Sequence, residues 1–274
     1  MTEETAVEKE SETTRLLERA RGGDAAALEA LLLAVQPQLY RFSMKMCRHT
    51  ADAEDVLQDS MMSLARSFRD FRGTSSLSTW IFTIARSFCI KKRRKSKFAP
   101  EREESLDQLD PDEQGRIRSE RPGPHEQVES AQVWEQVQAA IQSIEPAYRE
   151  ILVLRDIEGL RAKEVAEIVG ISVPAVKSRL HRARSDLRAR LATTPYQPQP
   201  DCPNIRKAFS QHLEGELSPD ICSTMEAHVA SCPVCAAECD GLKAALNACS
   251  AAPCDVPAAV QERVQEALRA RLAL

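Results

Sequence analysis

The sequence predicts an all-α chain divided into several small domains, on three observations. Ala, Leu, Glu, Arg and Gln dominate its 274 residues, of which 43% are apolar and 28% charged, the composition of a helix-rich globular protein. Apolar residues recur three and four apart in most segments and rarely alternate with period two. Stretches rich in proline and charge interrupt that pattern, and the length itself suits two or three domains.

The acidic start, MTEETAVEKESETT, lacks the apolar run of a signal peptide, and residues 1–12 are expected to be disordered. A first helical domain follows over residues 13–95. Leu28, Leu31, Leu32, Val35 and Leu39 share one face of a helix that is expected to bend near Pro37. In the next helix Ala53, Val56, Leu57, Met61 and Leu64 form the apolar stripe, with Asp52, Glu54, Asp55, Gln58 and Asp59 largely off it. A loop at Arg72–Ser76 leads to a third helix, with Ser78 or Thr79 as its N-cap and Trp80, Ile81, Ile84 and Phe88 on its apolar face. That helix runs into KKRRK, Lys91 to Lys95.

Residues 96–130 carry Pro100, Pro111, Pro122 and Pro124 among charges and little apolar content, which reads as a flexible linker. Residues 131–194 are helical again. Val133, Val137, Ile141 and Ile144 lead to a break at Glu145-Pro146, and Ile151, Leu152 and Leu154 belong to the next helix. Then a helix-turn-helix is written in full: Val165, Ala166 and Val169 pack the first helix, Gly170 turns, Ile171 fills the corner, and Ser172 caps a second helix with Pro174 in its first turn. Residues 195–201 are a proline-rich spacer, 202–250 a compact cysteine-rich helical module, and 251–274 an amphipathic helix with Val260, Val264, Leu268 and Leu272 four apart.

Net charge is −4, yet it is unevenly spread: +3 over 1–95, −5 over 96–130, +2 over 131–195 and −4 over 196–274. Within the basic blocks the charge is concentrated at KKRRK and at Ser172–Arg190, which holds six basic residues against one acid. Local clusters of this kind neutralise phosphates, whatever the whole-chain sum. A helix-turn-helix lays its second helix in the major groove, so Lys177 to Arg190 is either a DNA-reading face or a solvated basic one. Gly170, Ile171 and Ser172 at the correct offsets favour DNA.

Seven of the nine cysteines lie beyond residue 201. With no transmembrane run and no signal peptide, a reducing cytoplasm is expected, where clustered cysteines beside histidine mean metal or redox chemistry rather than structural bridges. His228 and Cys232 are four apart and share a helix face, and Cys232 and Cys235 form C-x2-C. Pro233 opens the next helix, whose first amides can stabilise thiolates. A tetrahedral zinc needs a fourth ligand, and Cys202 at the head of the module is the natural candidate. Cys222, Cys239, Cys249 and Cys254 exceed that need; as soft ligands they suit zinc, cadmium or copper(I). No catalytic zinc or nucleotide-cradling motif is present, so no enzyme and no small-molecule substrate are expected.

Residues 13–95 resemble region 2 of the bacterial sigma-70 family, and 131–194 resemble region 4. The carrying motifs are AEDVLQDSMMSL (53–64), FRGTSSLSTWIFTIAR (71–86) and the run from Ile144 to Leu191. With only a linker between them, the pair is similar to the extracytoplasmic-function (ECF) group, which implies core RNA polymerase and promoter DNA as partners. The resemblance places Asp52, Glu54, Asp55 and Gln58 on the helix that docks the polymerase clamp. It sets Trp80, Thr83, Arg86, Lys91, Lys92, Arg93 and Arg94 at the promoter −10 element, with plain core packing as the competing reading of Trp80. It sets Ser172, Val173, Ala175, Lys177, Ser178, Arg179, His181, Arg182 and Arg184 at the −35 element. Ser87 and Lys91 stand where the family usually has asparagine and aspartate.

The run from Cys202 through HLEGELSP to Cys235 resembles the zinc-binding anti-sigma domain, which implies three cysteines and one histidine on zinc and a unit that holds regions 2 and 4 from polymerase. The cysteine-rich tail as a whole resembles that of the CorE-like ECF factors, implying direct metal sensing. Thiol redox control around a structural zinc is the alternative, and a helix-turn-helix regulator working without polymerase is the alternative of another class.

Overall fold

The computed structural model describes residues 3–98, 135–251 and 255–272, and among the described residues every regular element is helical. The linker expected over 96–130 lies outside them except for residues 96–98, which end a helix.

The front domain comprises α1 (Glu3–Arg21), α2 (Ala25–Met46), α3 (Thr50–Ser67), a 3-10 turn (Phe68–Asp70) and α4 (Leu77–Phe98). Helix begins within the stretch for which composition predicts disorder. Leu16 and Leu17 at the far end of α1 pack against a small cluster of Ala27, Leu31 and Phe68, which gives that helix an anchor. Gly23 turns the chain at φ 92°, and Asp24 caps α2 by accepting from the Ala27 amide at 3.0 Å. α2 continues through Pro37 without ending. The cap of α4 is Ser76 and not Ser78 or Thr79: its hydroxyl accepts from the Thr79 amide at 3.1 Å. Helix therefore starts earlier than the residue pattern suggests. Phe42 and Phe82 meet edge to face, 5.3 Å between ring centres, in the middle of this domain.

The second domain comprises α5 (residues 135–143), α6 (Pro146–Leu152) with a π turn over Val153–Ile157, α7 (Ala162–Val169) and α8 (Val173–Leu191). Gly170 takes φ 75°, a left-handed conformation that closes α7 and costs glycine nothing. Ser172 caps α8 by accepting from the Ala175 amide at 3.4 Å. Val176, Leu180, Ala183 and Leu187 are fully buried, so the expected turn and inward face are both present.

The tail comprises α9 (Ile205–Leu213), α10 (Pro219–Ser231), α11 (Pro233–Ala251) and α12 (Ala258–Leu272). It does not stand apart. α9 and α11 pack on α8, and α12 packs on α3 and α2. Ala245, Cys249, Val260, Val264 and Leu268 belong to one apolar cluster with residues of both preceding domains. α4 in turn packs on α7. The three modules thus share a core, with the tail clasping the other two.

Candidate metal centre and nucleic-acid interfaces

The expected ligand set converges. Cys202 precedes α9, His228 lies in the last turn of α10, Cys232 at the α10–α11 junction and Cys235 in the first turn of α11. Their four ligand atoms all lie within 4.8 Å of one another. Cys202 Sγ and Cys232 Sγ are 3.8 Å apart, and His228 Nε2 is 3.4 Å from Cys235 Sγ. Zinc bonds of about 2.3 Å to sulfur and about 2.05 Å to nitrogen set tetrahedral edges of roughly 3.8 and 3.5 Å. Three soft thiols and an imidazole at these separations fit that ion.

The surroundings polarise the set. The Cys235 amide pulls the Cys232 thiol down, helped by a Cys202 thiol hydrogen bond, as expected where a helix N-terminus faces sulfur. Burial pushes the Cys235 thiol up to about 11. Sequence reasoning missed Tyr196, whose hydroxyl is 3.4 Å from Cys235 Sγ and whose ring lies 5.0 Å beneath the Arg206 guanidinium. The signal was an aromatic residue in an otherwise polar spacer. Cys232, Cys235 and Cys239 make up half of the six buried residues in the module's own core. Such a core is too small to hold three helices unaided.

The surplus cysteines do not join the set. Cys239 is buried in that small core, and burial raises its thiol. Cys222 lies 3.3 Å from His212 Nδ1. Cys249 is fully buried where α11 meets the other domains, pushed up to about 12 by burial. Cys254 lies outside the described residues. Among the described residues, Cys202, His228, Cys232 and Cys235 are the one group of three or more ligating side chains gathered to hold a metal.

The residues expected at polymerase and DNA are largely engaged within the chain. Lys92 Nζ is 3.1 Å from Asp52 and 2.5 Å from Asp55, and the Asp55 hydrogen bond raises its pKa. Glu54 receives Arg263 of α12 at 2.5 Å. Gln58 is half-buried. Arg86 forms a two-pronged pair with Glu150 of α6, 2.9 and 3.2 Å. Thr83 is exposed and donates to the Thr79 carbonyl. Trp80 is half-buried against Phe71 and Phe68, its ring 4.9 and 6.2 Å from theirs, as core packing requires. Lys91, Arg93 and Arg94 are exposed.

On α8, Ser172, Ser178 and Arg182 are exposed, with Val173, Ala175, Arg179 and His181 half-buried. Arg182 donates to the Tyr148 hydroxyl, and Lys177 pairs with Glu216 of the tail. Arg184, expected at DNA, is instead buried: it holds Asp156 at 2.6 Å and Glu214 at 3.0 Å, and donates to Ser210. Val176, Leu180 and Arg184 fall four apart, so the periodicity that buries the first two carries the third inward. Arg188 reaches Glu238 of α11 at 3.2 Å, and Arg206 shares that carboxylate at 2.6 Å. Gly241 admits this contact, since a Cβ there would collide with the Arg188 guanidinium.

An all-helical chain with this helix-turn-helix, this front domain and a three-cysteine, one-histidine cluster defines a class in which comparison with known proteins converges. Residues 31–98 match the family model of sigma-70 region 2, 134–187 that of sigma-70 region 4, and 202–236 a family model described as a zinc-finger. The ECF RNA polymerase sigma factor SigM of Mycobacterium tuberculosis is 31% identical over 178 residues, 65% of this chain and 84% of that one. The ECF RNA polymerase sigma factor SigE of Mycolicibacterium smegmatis is 30% identical over 174 residues, 62% of this chain and 65% of that relative's length. A solved structure of CnrH in complex with the cytosolic domain of CnrY shares 23% identity at a TM-score of 0.47, covering 66% of this chain and 97% of that one. The chain belongs to the ECF sigma factors of the sigma-70 family, with a zinc-finger-like module behind regions 2 and 4. Among the described residues no helix is long and apolar enough to cross a membrane.

Proposed function

We propose that the chain is an RNA polymerase sigma factor that directs promoter-specific initiation, with its C-terminal module acting as a built-in inhibitor controlled by metal. Region 2 (α2–α4) recognises the −10 element through Arg86 and the Lys91–Arg94 cluster and offers Asp52, Glu54, Asp55 and Gln58 to the polymerase clamp. Region 4 reads the −35 element with the leading face of α8. Cytoplasmic RNA polymerase and promoter DNA are the partners, and no enzymatic activity is part of the reading.

One observation carries the regulatory half: α12 lies on α3, the helix that carries the clamp-facing acids, while α9 and α11 lie against α8. Arg263 on Glu54 and Glu216 on Lys177 occupy side chains needed for polymerase and DNA. Cys202, His228, Cys232 and Cys235 are the residues that hold zinc. With zinc on them, the three thiols would be held ionised and the head of α9 would be tied to the end of α10 and the start of α11. Of these, α9 and α11 grip α8, so metal occupancy at this node would set how firmly the tail holds region 4. A thiophilic ion such as cadmium or copper competes for the same soft ligands.

Cell-free run-off transcription with core polymerase tests the sigma half. Promoter-specific transcripts that depend on this chain are expected, whereas a chain that binds promoter duplex but starts no transcript contradicts it. Repeating the reaction with zinc, cadmium and copper tests the regulatory half. Transcript yield must change with the metal in the wild type and lose that response in C202S and C235S.

A further inference from the structure

Between α8 and Cys202 the chain runs through residues 195–201, and Tyr196 is the one side chain of that spacer that is not exposed. An aromatic ring with a hydroxyl brings both area to bury and a polar tip to satisfy. The ring packs on the small core that contains Cys235 and Leu242, and the hydroxyl lies 3.4 Å from Cys235 Sγ. A sulfur bound to metal carries no proton, so in that contact the hydroxyl donates. Outer hydrogen bonds of this kind orient a ligand atom and change metal affinity by about ten- to hundredfold.

The same ring begins a network that ends in region 4. The Arg206 guanidinium of α9 lies 5.0 Å from the ring centre, a cation–π contact. Arg206 Nε donates to Glu238 Oε1 at 2.6 Å, and Arg188 Nε of α8 is 3.2 Å from Glu238 Oε2. Glu238 is 2% exposed, so its charge has to be met from within the protein. Two guanidiniums meet it, one from the tail and one from region 4. Tyr196 thus touches a metal ligand and a member of this network at once.

We propose that Tyr196 is a positioning residue for the metal centre, donating to the Cys235 sulfur and, through Arg206, Glu238 and Arg188, coupling the metal to the grip of the tail on α8. This coupling rests on the metal control proposed above and names the side chains that transmit it. With metal on Cys235 the hydroxyl is fixed, and the fixed ring keeps Arg206 on Glu238. Glu238, held at one oxygen, keeps the other towards Arg188. Coupling between sites is reciprocal, so loosening Arg188 has to weaken metal binding although Arg188 is no ligand.

The test measures zinc affinity of the full-length chain by competition with a chromophoric chelator, with circular dichroism confirming the helices of each zinc-loaded variant. Y196F keeps the ring, loses the hydroxyl and is expected to bind zinc about tenfold more weakly. With cobalt in place of zinc, its sulfur-to-metal charge-transfer band is expected to shift, which the loss of plain packing would not cause. R188M is expected to lose about fivefold in the wild-type background and nothing further in Y196F. R206M breaks the network one step nearer the metal and is expected to repeat that pattern, so the coupling is read even where one variant does not fold. Y196F with wild-type affinity, or with an unmoved cobalt band, overturns the assignment of Tyr196. Losses that multiply in Y196F/R188M overturn the coupling and leave Tyr196 at the metal. A wild-type chain that takes up no zinc contradicts the metal control itself, and the coupling falls with it.

Discussion

At Arg184 the chain shows how a single side chain serves a fold rather than a ligand. Its guanidinium joins Asp156 of region 4 to Glu214 of the tail, all three nearly excluded from water. Removing one member of a buried network strands the others. R184A is expected to destabilise the chain by about 3 kcal/mol in urea unfolding, whereas R263A, on an exposed pair, is expected to cost less than about 1 kcal/mol. Glu158 gives a pH signature. Burial raises its carboxyl above the ordinary value, with the Arg41 cation 2.9 Å away opposing that shift. The folded chain therefore holds this proton more tightly than the unfolded one. The corresponding stability is full below the unfolded pKa and falls as pH rises through the folded pKa. Urea midpoints measured from pH 4 to 8 should show E158Q with a smaller loss on that rise than the wild type.

At the scale of elements, what could be read from the sequence was whatever is local. The Gly170 turn, the Ser172 cap and the buried stripe of α8 follow from offsets of a few residues, and so do His228, Cys232 and Cys235 at the metal. Ser76 was missed as a cap because Ser78 and Thr79, two and three residues on, offer the same chemistry, and only the backbone path separates them. Partners far apart in the chain were not legible. Nothing in the spacing of Val260, Val264 and Leu268 says that they cover α3, and nothing in Gly241 announces Arg188. Mid-helix glycine costs about 1 kcal/mol against alanine, and that contact is its reason here. A leucine at Gly241 should displace Arg188 from Glu238 and part α11 from α8. G241L is accordingly expected to raise affinity for −35 duplex several-fold in a fluorescence titration, with a steeper salt dependence.

Across the whole molecule the proposed function asks the same basic and acidic groups to serve two sets of contacts, one inside the chain and one with polymerase and promoter. On that proposal Lys177 and Glu54 cannot hold Glu216 and Arg263 while bound to DNA and the clamp. A −4 net charge is compatible with DNA recognition because the acids of the tail lie on the bases of region 4. In the proposed function this closed arrangement acts as an intramolecular competitor, and its apolar hold on region 2 is the α12 face of Val260, Val264 and Leu268, all buried. Run-off transcription by core polymerase with the full-length V264D/L268D double variant tests this most directly. The variant is expected to start promoter-specific transcripts several-fold more strongly than the wild type at equal concentration, since two buried charges expel α12 from α3. A folded variant that transcribes no better than the wild type would contradict the account.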